Sequence, residues 1–257
     1  WTYTISNSSH YSHHDLCPMP NGNVMVIAYE YHTNAEYQAA GGTGAFTTGI
    51  WSEKVMEIKQ NGANGGDVVW QWRVWDHLVQ NANAAKSNYK ASISDNPQLL
   101  NINYNPGNHI DWMHMNGIDY NPYLDQVALS SHWLNEMYVI DHSTTTAEAA
   151  SHTGGNSGKG GDLLYRWGNP AAYGATGTTN FNVIHDAHWV PRGCPNEGYL
   201  VGINNMYSGT QSSIDFVNPP VNGYNFSKTS GQAYGPSAYS KRIVCTGRTT
   251  NEGNSQQ

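Results

Sequence analysis

The sequence predicts an all-β protein, specifically a β-propeller built from four-stranded blades. Two repeated patterns lead to this prediction. A strand that opens with Gly-Gly-Asp occurs twice, at residues 65–72 and 160–167. A segment that begins with His, turns at a Pro, Asn or Gly cluster and returns as an apolar strand occurs three times, from His14, His114 and His185. Four-stranded units repeated along a chain with little helical periodicity are typical of propellers.

The first repeat contains all four expected strands. It begins at His14, and Asn21-Gly22 then falls between two apolar runs. This dipeptide is the strongest short-range indication of a hairpin, because both central residues of the turn must tolerate a positive φ. A third strand is expected at residues 54–58, and the first Gly-Gly-Asp strand is the fourth.

The second and third repeats follow the same order. The second runs from His114, with its third strand expected at 136–141 and the second Gly-Gly-Asp strand as its fourth. The third runs from His185 and returns at residues 198–203. The remaining segment, 228–257, is a polar tail that fits the repeat poorly.

The repeats are longer than bare blades, so each must carry an insertion. The leading histidines are 100 and 71 residues apart, against ~40–50 residues for a blade. The insertions are expected at 77–110, whose composition allows a short helix, and at 142–160, a Gly/Ser/Thr-rich loop. Since propellers use ~4–8 blades, we expect residues 1–257 to be one incomplete propeller domain. We favour completion by more of the same polypeptide over completion by partner chains, although a homo-oligomeric assembly stays open.

The composition excludes several classes of protein. The chain has 12 Lys+Arg against 19 Asp+Glu and a formal charge of −7, which excludes a basic nucleic-acid-binding patch. No apolar run approaches the ~18 residues of a membrane span. Charged residues make up only 12% of the chain, where roughly 25% is usual. This Lys-poor, aromatic-rich composition favours a secreted protein, periplasmic or extracellular.

Three cysteines, Cys17, Cys194 and Cys245, permit at most one intramolecular disulfide. A Cys17–Cys194 disulfide and free buried thiols are both open at this point. The absence of a C-x-x-C pair excludes a zinc ribbon and a thioredoxin-like motif.

The candidate site follows from the repeat. The innermost strand of every propeller blade lines the central channel, so His14, His114 and His185 are expected to converge near one axis. A structural role in hydrogen bonding and a metal site are the alternatives for these imidazoles. No H-E-x-x-H motif is present, and we expect neither a metal nor another cofactor.

Several segments resemble the bacterial arylsulfate sulfotransferases. The resemblance covers about residues 1–205, and the segments that carry it are 13–15, 20–23, 111–121, 139–145, 160–170 and 185–189. It implies a six-bladed propeller whose central site moves a sulfuryl group from an aryl sulfate to a phenol. It also implies transfer through a sulfated histidine without a nucleotide donor, so aryl sulfates and phenolic small molecules would be the partners.

The resemblance also implies roles for individual residues. His185 matches the nucleophile, His14 and His114 match the histidines that hold the sulfuryl oxygens, and Asn116 matches a polar contact. An Arg that is essential in the family falls on His132. Arg supplies a permanent charge and a planar fork for an anion, whereas His is charged only when protonated. The substitution implies either a weaker, pH-dependent contact or a site with another role.

Arg166 and Arg192 are the two candidates to replace the arginine that is absent at position 132. The repeat places Arg166 on an outer strand, which argues against it, while Arg192 near the third hairpin turn stays open. The leading hypothesis is therefore an aryl-sulfate sulfotransferase. The alternatives are a non-catalytic extracellular propeller that serves in binding or assembly, and a metal-dependent hydrolase.

Overall fold

A computed structural model describes residues 1–255 of the protein. These residues form three four-stranded antiparallel sheets that follow one another along the chain, together with two short two-stranded pairs. The expected all-β class is confirmed, and so are four strands in each of the first two repeats. No helix in this part of the chain has the length and apolar character needed to cross a membrane.

The first sheet follows the predicted order of strands, β1-β2-β3-β4. Its strands are β1 (His10–Pro18), β2 (Val24–His32), β3 (Ile50–Asn61) and β4 (Gly65–Arg73). Gly22 turns the first hairpin with a φ of 83°, as the Asn-Gly signal indicates. Helix α1 (Asn34–Ala39) joins β2 to β3, and Thr33 and Glu36 cap its first turn reciprocally.

The connection to the second sheet contains less helix than its composition allows. A 3₁₀ helix (Val74–His77) leads into a parallel pair, β5 (Leu78–Val79) and β6 (Leu100–Asn101). The short helix expected at 77–110 is wrong, because residues 78–110 form turns, bends, isolated bridges and the two short strands β5 and β6. Side chains such as Asn83 and Asn101 accept hydrogen bonds from nearby backbone N–H groups, and this competes with helix formation.

The second sheet has the order β10-β9-β8-β7. Its strands are β7 (Met115–Asn121), β8 (Gln126–Ser131), β9 (Glu136–Asp141) and β10 (Tyr165–Trp167). The loop expected at 142–160 carries a four-residue helix, α2 (Thr146–Ala149), with its own capping box. The second Gly-Gly-Asp segment precedes β10 as a turn, whereas the first lies within β4.

The third sheet has the order β11-β12-β13-β16. It contains β11 (Ile184–Trp189), β12 (Leu200–Asn204), β13 (Ser213–Val217) and β16 (Lys241–Val244), with a small hairpin of β14 (Val221–Asn222) and β15 (Asn225–Phe226) before the last strand. Strand β16 lies in the polar tail, where the sequence pattern indicates no strand. It is held by pairing with β13 and by an ion pair between Arg242 and the buried Asp215.

The first strands of the three sheets lie side by side, with β7 between β1 and β11. Aspartate side chains join them. Asp15 Oδ2 accepts from the Ile118 backbone N–H at 3.0 Å, and Asp119 Oδ2 accepts from that of Trp189 at 2.8 Å. Apolar cores fill the space between adjacent sheets, one between the first and second and one between the second and third.

The three cysteines are free thiols. The Cys17–Cys194 disulfide is therefore not formed. Cys17 is buried beside Asp119 and Cys194 is half-buried.

Candidate functional site

Four of the five residues singled out from the sequence form one cluster of imidazoles. The ring centroids of His14 and His114 are 4.5 Å apart, those of His114 and His132 are 5.3 Å apart, and those of His132 and His185 are 5.5 Å apart. The three leading histidines of the repeats therefore converge, and His132 lies between the second and the third.

Irregular backbone at the first strands directs these side chains. His14, His114 and Asp186 have φ values of 53°, 50° and 58°. Each lies at or next to a register shift in its own first strand. Positive φ is uncommon and costly for residues other than Gly, and bulges re-aim side chains, often near functional sites.

The protonation state of His185 is fixed by its partners. Its Nδ1 lies 2.7 Å from Asn205 Oδ1, and the Asn205 Nδ2 donates to Thr249 and Glu252, which fixes the amide orientation. Because an amide oxygen only accepts, Nδ1 carries the hydrogen and Nε2 holds the lone pair. Burial lowers the pKa of His185, so the ring is neutral near pH 7. The Glu252 backbone N–H donates to Nε2 at 3.2 Å.

His114 has the opposite electrostatic character. Its Nδ1 hydrogen-bonds the Asp111 carboxylate and lies 3.0 Å from the Tyr29 hydroxyl. Burial disfavours the charged ring, but the hydrogen bond to Asp111 and the negative charge of that carboxylate outweigh it and raise the pKa of His114. The cluster thus contains one imidazole that readily holds a second proton.

His14 is a neutral member of the cluster. Burial, with the neighbouring His114, His13 and His185, lowers the pKa of His14 to about 4. His14 Nδ1 lies 2.7 Å from Nδ1 of His13. One of these nitrogens must carry a hydrogen and donate it, and the other must accept it, so the hydrogen bond joins two neutral rings.

His13 connects the imidazole cluster to Tyr29 and Glu53. Its ring stacks on Tyr29 at a centroid distance of 3.5 Å, and its Nε2 lies 2.8 Å from Glu53 Oε2. Burial lowers the pKa of His13 to about 3 and raises that of the Glu53 carboxyl well above its usual range. Both groups are therefore disposed to be uncharged.

His132 stands where the resemblance expects Arg. Burial, followed by the charges of His114 and His185, lowers the pKa of His132 to about 4. Its Nδ1 is buried and has no hydrogen-bond partner among residues 1–255. It therefore offers a neutral imidazole rather than a permanent cation.

Neither arginine considered as a replacement belongs to the cluster. Arg166 is fully buried and pairs with Glu136, with its guanidinium over the Tyr173 ring. Arg192 is exposed, lies 3.8 Å from Glu197 and covers the Tyr123 ring. Arg166 therefore does not replace the missing arginine, as its outer-strand position predicts. Arg192, which the sequence left open, does not replace it either.

Asn116 joins two sheets beside the imidazoles. Its Nδ2 donates to the Ile184 backbone oxygen at 2.8 Å, and its Oδ1 accepts from the Ser130 hydroxyl at 2.6 Å. One N–H of the amide is left for another partner.

A cleft of about 390 Å³ opens beside the cluster, lined by His14, Asp15, Asn116, His185, Asp186 and residues 252–254. Segment 249–255 lies along it. Besides the contact of Glu252 with His185, the backbone N–H and the hydroxyl of Ser255 both donate to Asp186 Oδ2.

Sequence reasoning missed four residues that set the charge of the cluster: Asp111, Tyr29, Glu53 and Asn205. Asp111 has no counterpart in the other repeats, and its spacing of three residues from His114 was the available signal. Glu53 is an acidic residue at a strand position that proves fully buried. Nothing local marks Asn205, which reaches His185 only through the pairing of β11 with β12.

Comparison with known proteins adds an independent finding. A protein-family model described as Arylsulfotransferase (ASST) matches residues 2–218, which is most of the chain and includes all five candidate residues. Segment 249–255 lies outside the match. No curated protein matches the chain significantly.

Proposed function

This chain belongs to the arylsulfotransferase family, and on that premise we propose that it moves a sulfuryl group from an aryl sulfate to a phenolic acceptor. We assign the nucleophile to His185, with a sulfohistidine intermediate and no nucleotide donor or other cofactor. The observation that supports this most directly is the hydrogen bond from His185 Nδ1 to Asn205, because it places the lone pair of the neutral ring on Nε2, within the imidazole cluster.

In the first step, Nε2 of His185 attacks sulfur while the bond from sulfur to the aryl oxygen breaks. The electron pair of that bond leaves with the phenolate. His114 donates a proton to the phenolate, since its contact with Asp111 favours the protonated ring. The Glu252 N–H occupies Nε2 in the structure, so binding of the donor must displace this contact.

In the second step, a phenol attacks the sulfur of sulfohistidine. The neutral His114 left by the first step accepts the phenol proton, and the bond from sulfur to Nε2 breaks to restore the lone pair. The enzyme alternates between a free form and a sulfated form in each catalytic cycle, so we expect ping-pong kinetics.

The sulfuryl oxygens need hydrogen-bond donors more than they need a strong base. Imidazole N–H groups of His14 and His132 and the remaining N–H of Asn116 are suited to this role. Because the pKa of His132 is about 4, His132 contributes a hydrogen bond rather than a charge near pH 7. This differs from the Arg that the family resemblance leads one to expect.

The three sheets also suggest the architecture around the site. We propose that they are three blades of an incomplete six-bladed propeller, with the imidazole cluster near its axis and further blades supplied by a longer polypeptide. The side-by-side arrangement of β1, β7 and β11 supports this proposal. We further propose a periplasmic or extracellular location, for which the Lys-poor composition is the support.

The test is release of nitrophenolate from 4-nitrophenyl sulfate, with and without phenol, by the full-length protein and two variants. His185→Ala should abolish release, whereas the control His10→Ala should retain it, because His10 lies at the start of β1 and its side chain hydrogen-bonds the neighbouring Asn7 and Ser9. Phenol should accelerate release by the wild type. A sulfated peptide containing His185 should be recovered by mass spectrometry when the acceptor is omitted.

The alternative function is a non-catalytic propeller used in binding or assembly. Two observations favour it: no arginine lies in the cluster, and the Glu252 N–H covers the His185 lone pair. A folded wild-type protein that releases no nitrophenolate between pH 5 and pH 9 would support this alternative and reject the transferase.

A further inference from the structure

A second group of histidines lies outside the imidazole cluster. His77 ends the 3₁₀ helix after β4, while His152 and Asp162 belong to the connection between β9 and β10. Asp162 Oδ1 lies 3.0 Å from His77 Nδ1 and 2.7 Å from His152 Nδ1. All three potential ligand atoms are within 4.8 Å of one another.

The orientation of His77 is fixed by its surroundings. The side chain is fully buried, and its ring is nearly parallel to that of Trp72, at a centroid distance of 5.7 Å. Its Nε2 lies 2.8 Å from the Ala149 carbonyl oxygen. Because a carbonyl only accepts, Nε2 carries the hydrogen, and in the neutral ring Nδ1 has a lone pair directed at the Asp162 carboxylate.

Asp162 is also held in place. The preceding residue, Gly161, lies so close to Ala149 that a Cβ would be 1.9 Å from its carbonyl oxygen, and the Gly161 oxygen accepts from the Trp72 indole at 2.7 Å. A lone pair facing a carboxylate is unfavourable unless a cation lies between them. A metal ion bound by both side chains would remove this repulsion.

We propose that His77 Nδ1, His152 Nδ1 and one Asp162 oxygen bind a divalent transition-metal ion, with Zn²⁺ as the best match. Tetrahedral zinc with bonds of ~2.0–2.1 Å to nitrogen and oxygen places its ligand atoms roughly 3.3 Å apart, which is comparable to the separations of 3.0 Å and 2.7 Å between Asp162 Oδ1 and the two imidazole nitrogens. Donation of the other ring nitrogen to a backbone carbonyl is the usual support for a ligating histidine. Water completes the fourth position.

The site has an entry path and joins two sheets. The His152 side chain is 61% exposed, which gives an ion access from solvent. His77 lies in the 3₁₀ helix that follows β4 of the first sheet, and the other two ligands lie in the connection between β9 and β10 of the second sheet. The metal therefore links segments that belong to adjacent sheets. This role is independent of sulfuryl transfer.

The proposal is tested by titrating Zn²⁺ into untagged full-length protein after treatment with a chelator. We expect one tight site per chain, and at least about tenfold weaker affinity in His152→Ala and in Asp162→Asn. His152 is chosen over the buried His77 because its exposed side chain can be removed without opening the core. The matched control His10→Ala should bind like the wild type.

The imidazole cluster is the competing location for zinc, so a His14→Ala/His132→Ala double variant is included. We expect it to keep the tight site, and we expect Zn²⁺ to raise the melting temperature of the wild type but not of His152→Ala. Absence of saturable binding, equal affinity in His152→Ala, or loss of the site only in the double variant would each overturn the proposal.

Discussion

Two groups of histidines along the boundary between the first and second sheets have pKa values shifted in opposite directions. In the imidazole cluster, His14 is surrounded mainly by other imidazoles, and its pKa falls to about 4. His142 lies instead between two carboxylates, 2.6 Å from Asp125 and 2.9 Å from Glu57. Burial opposes its charge, but the hydrogen bonds and charges of both partners raise its pKa.

The comparison shows that the neighbours of a buried histidine decide its chemistry. An imidazole among imidazoles keeps its lone pair, which suits a nucleophile or a hydrogen-bond donor to an anion. An imidazole between carboxylates is stabilised in its protonated form and joins structural elements. His114 combines both situations, because it lies in the cluster yet is paired with Asp111. This is why we assign proton transfer to His114.

After the loss of activity in His185→Ala, the largest expected effect is that of His114→Ala on transfer from poor leaving groups. Without a proton donor, kcat should fall by about 10²–10⁴ with phenyl sulfate, and much less with 4-nitrophenyl sulfate, whose phenolate leaves unaided. Steady-state rates with a series of substituted phenyl sulfates would measure this difference. His142→Ala is the control with another buried histidine, and it should leave the leaving-group dependence unchanged. An equal loss with every donor would contradict proton donation.

A smaller effect is expected from Asp111→Asn, through the pH dependence of the rate. His114 must be protonated in the first step, so activity should be lost as pH rises through its raised pKa. His185 must be neutral, so activity should also be lost as pH falls through its lowered pKa. Removing the Asp111 charge should move only the alkaline limb, to lower pH.

The profile of kcat against pH would check this prediction, with a loss of about tenfold per unit of displacement at alkaline pH. If Asp111→Asn moved the acidic limb instead, the assignment of the alkaline limb to His114 and of the acidic limb to His185 would be wrong.

A still smaller effect is expected from His132→Arg. The variant supplies the permanent charge that the neutral His132 lacks, so KM for an aryl sulfate should fall by about fivefold, or roughly 1 kcal/mol. The gain should shrink as salt is added. His132→Gln, a neutral side chain of intermediate length, is the matched control and should show no gain. An unchanged KM in the Arg variant would indicate that His132 does not face the sulfuryl group.

The sequence predicts the features that repeat along the chain, but it does not predict contacts between residues that are far apart in the sequence. Equivalent positions in three repeats placed His14, His114 and His185 on neighbouring first strands, so their convergence could be predicted. Strand β16 could not, because its edge position leaves its residues largely exposed and without an apolar pattern. The N–H that reaches His185 from Glu252 is a backbone group present in every residue, so no residue type marks it.

The smallest effect on the transfer rate is expected from His142→Ala, which should reduce stability instead. Removing the imidazole takes one hydrogen-bond partner from the buried Glu57, which keeps those of Asn21 and Asn23. The expected cost is about 1–3 kcal/mol in the free energy of unfolding, discounted because Asp125 is 36% exposed. The folded pKa of His142 is raised, so its contribution is complete below its ordinary pKa and is lost as pH rises through the folded value. The pKa of Asp125 is lowered, so its contribution is lost as pH falls.

Urea unfolding of wild type and His142→Ala between pH 4 and pH 9 would measure this dependence. The difference between the two proteins should be greatest in weakly acidic solution and should shrink at alkaline pH, where His142 becomes neutral in the wild type. His10→Ala is the control, because His10 lies at the surface and its pKa is lowered by burial rather than raised. A difference in unfolding free energy that did not vary with pH would mean that His142 contributes through packing against Trp70 and Tyr120. The two groups of histidines would then differ in how their rings pack and not in their protonation.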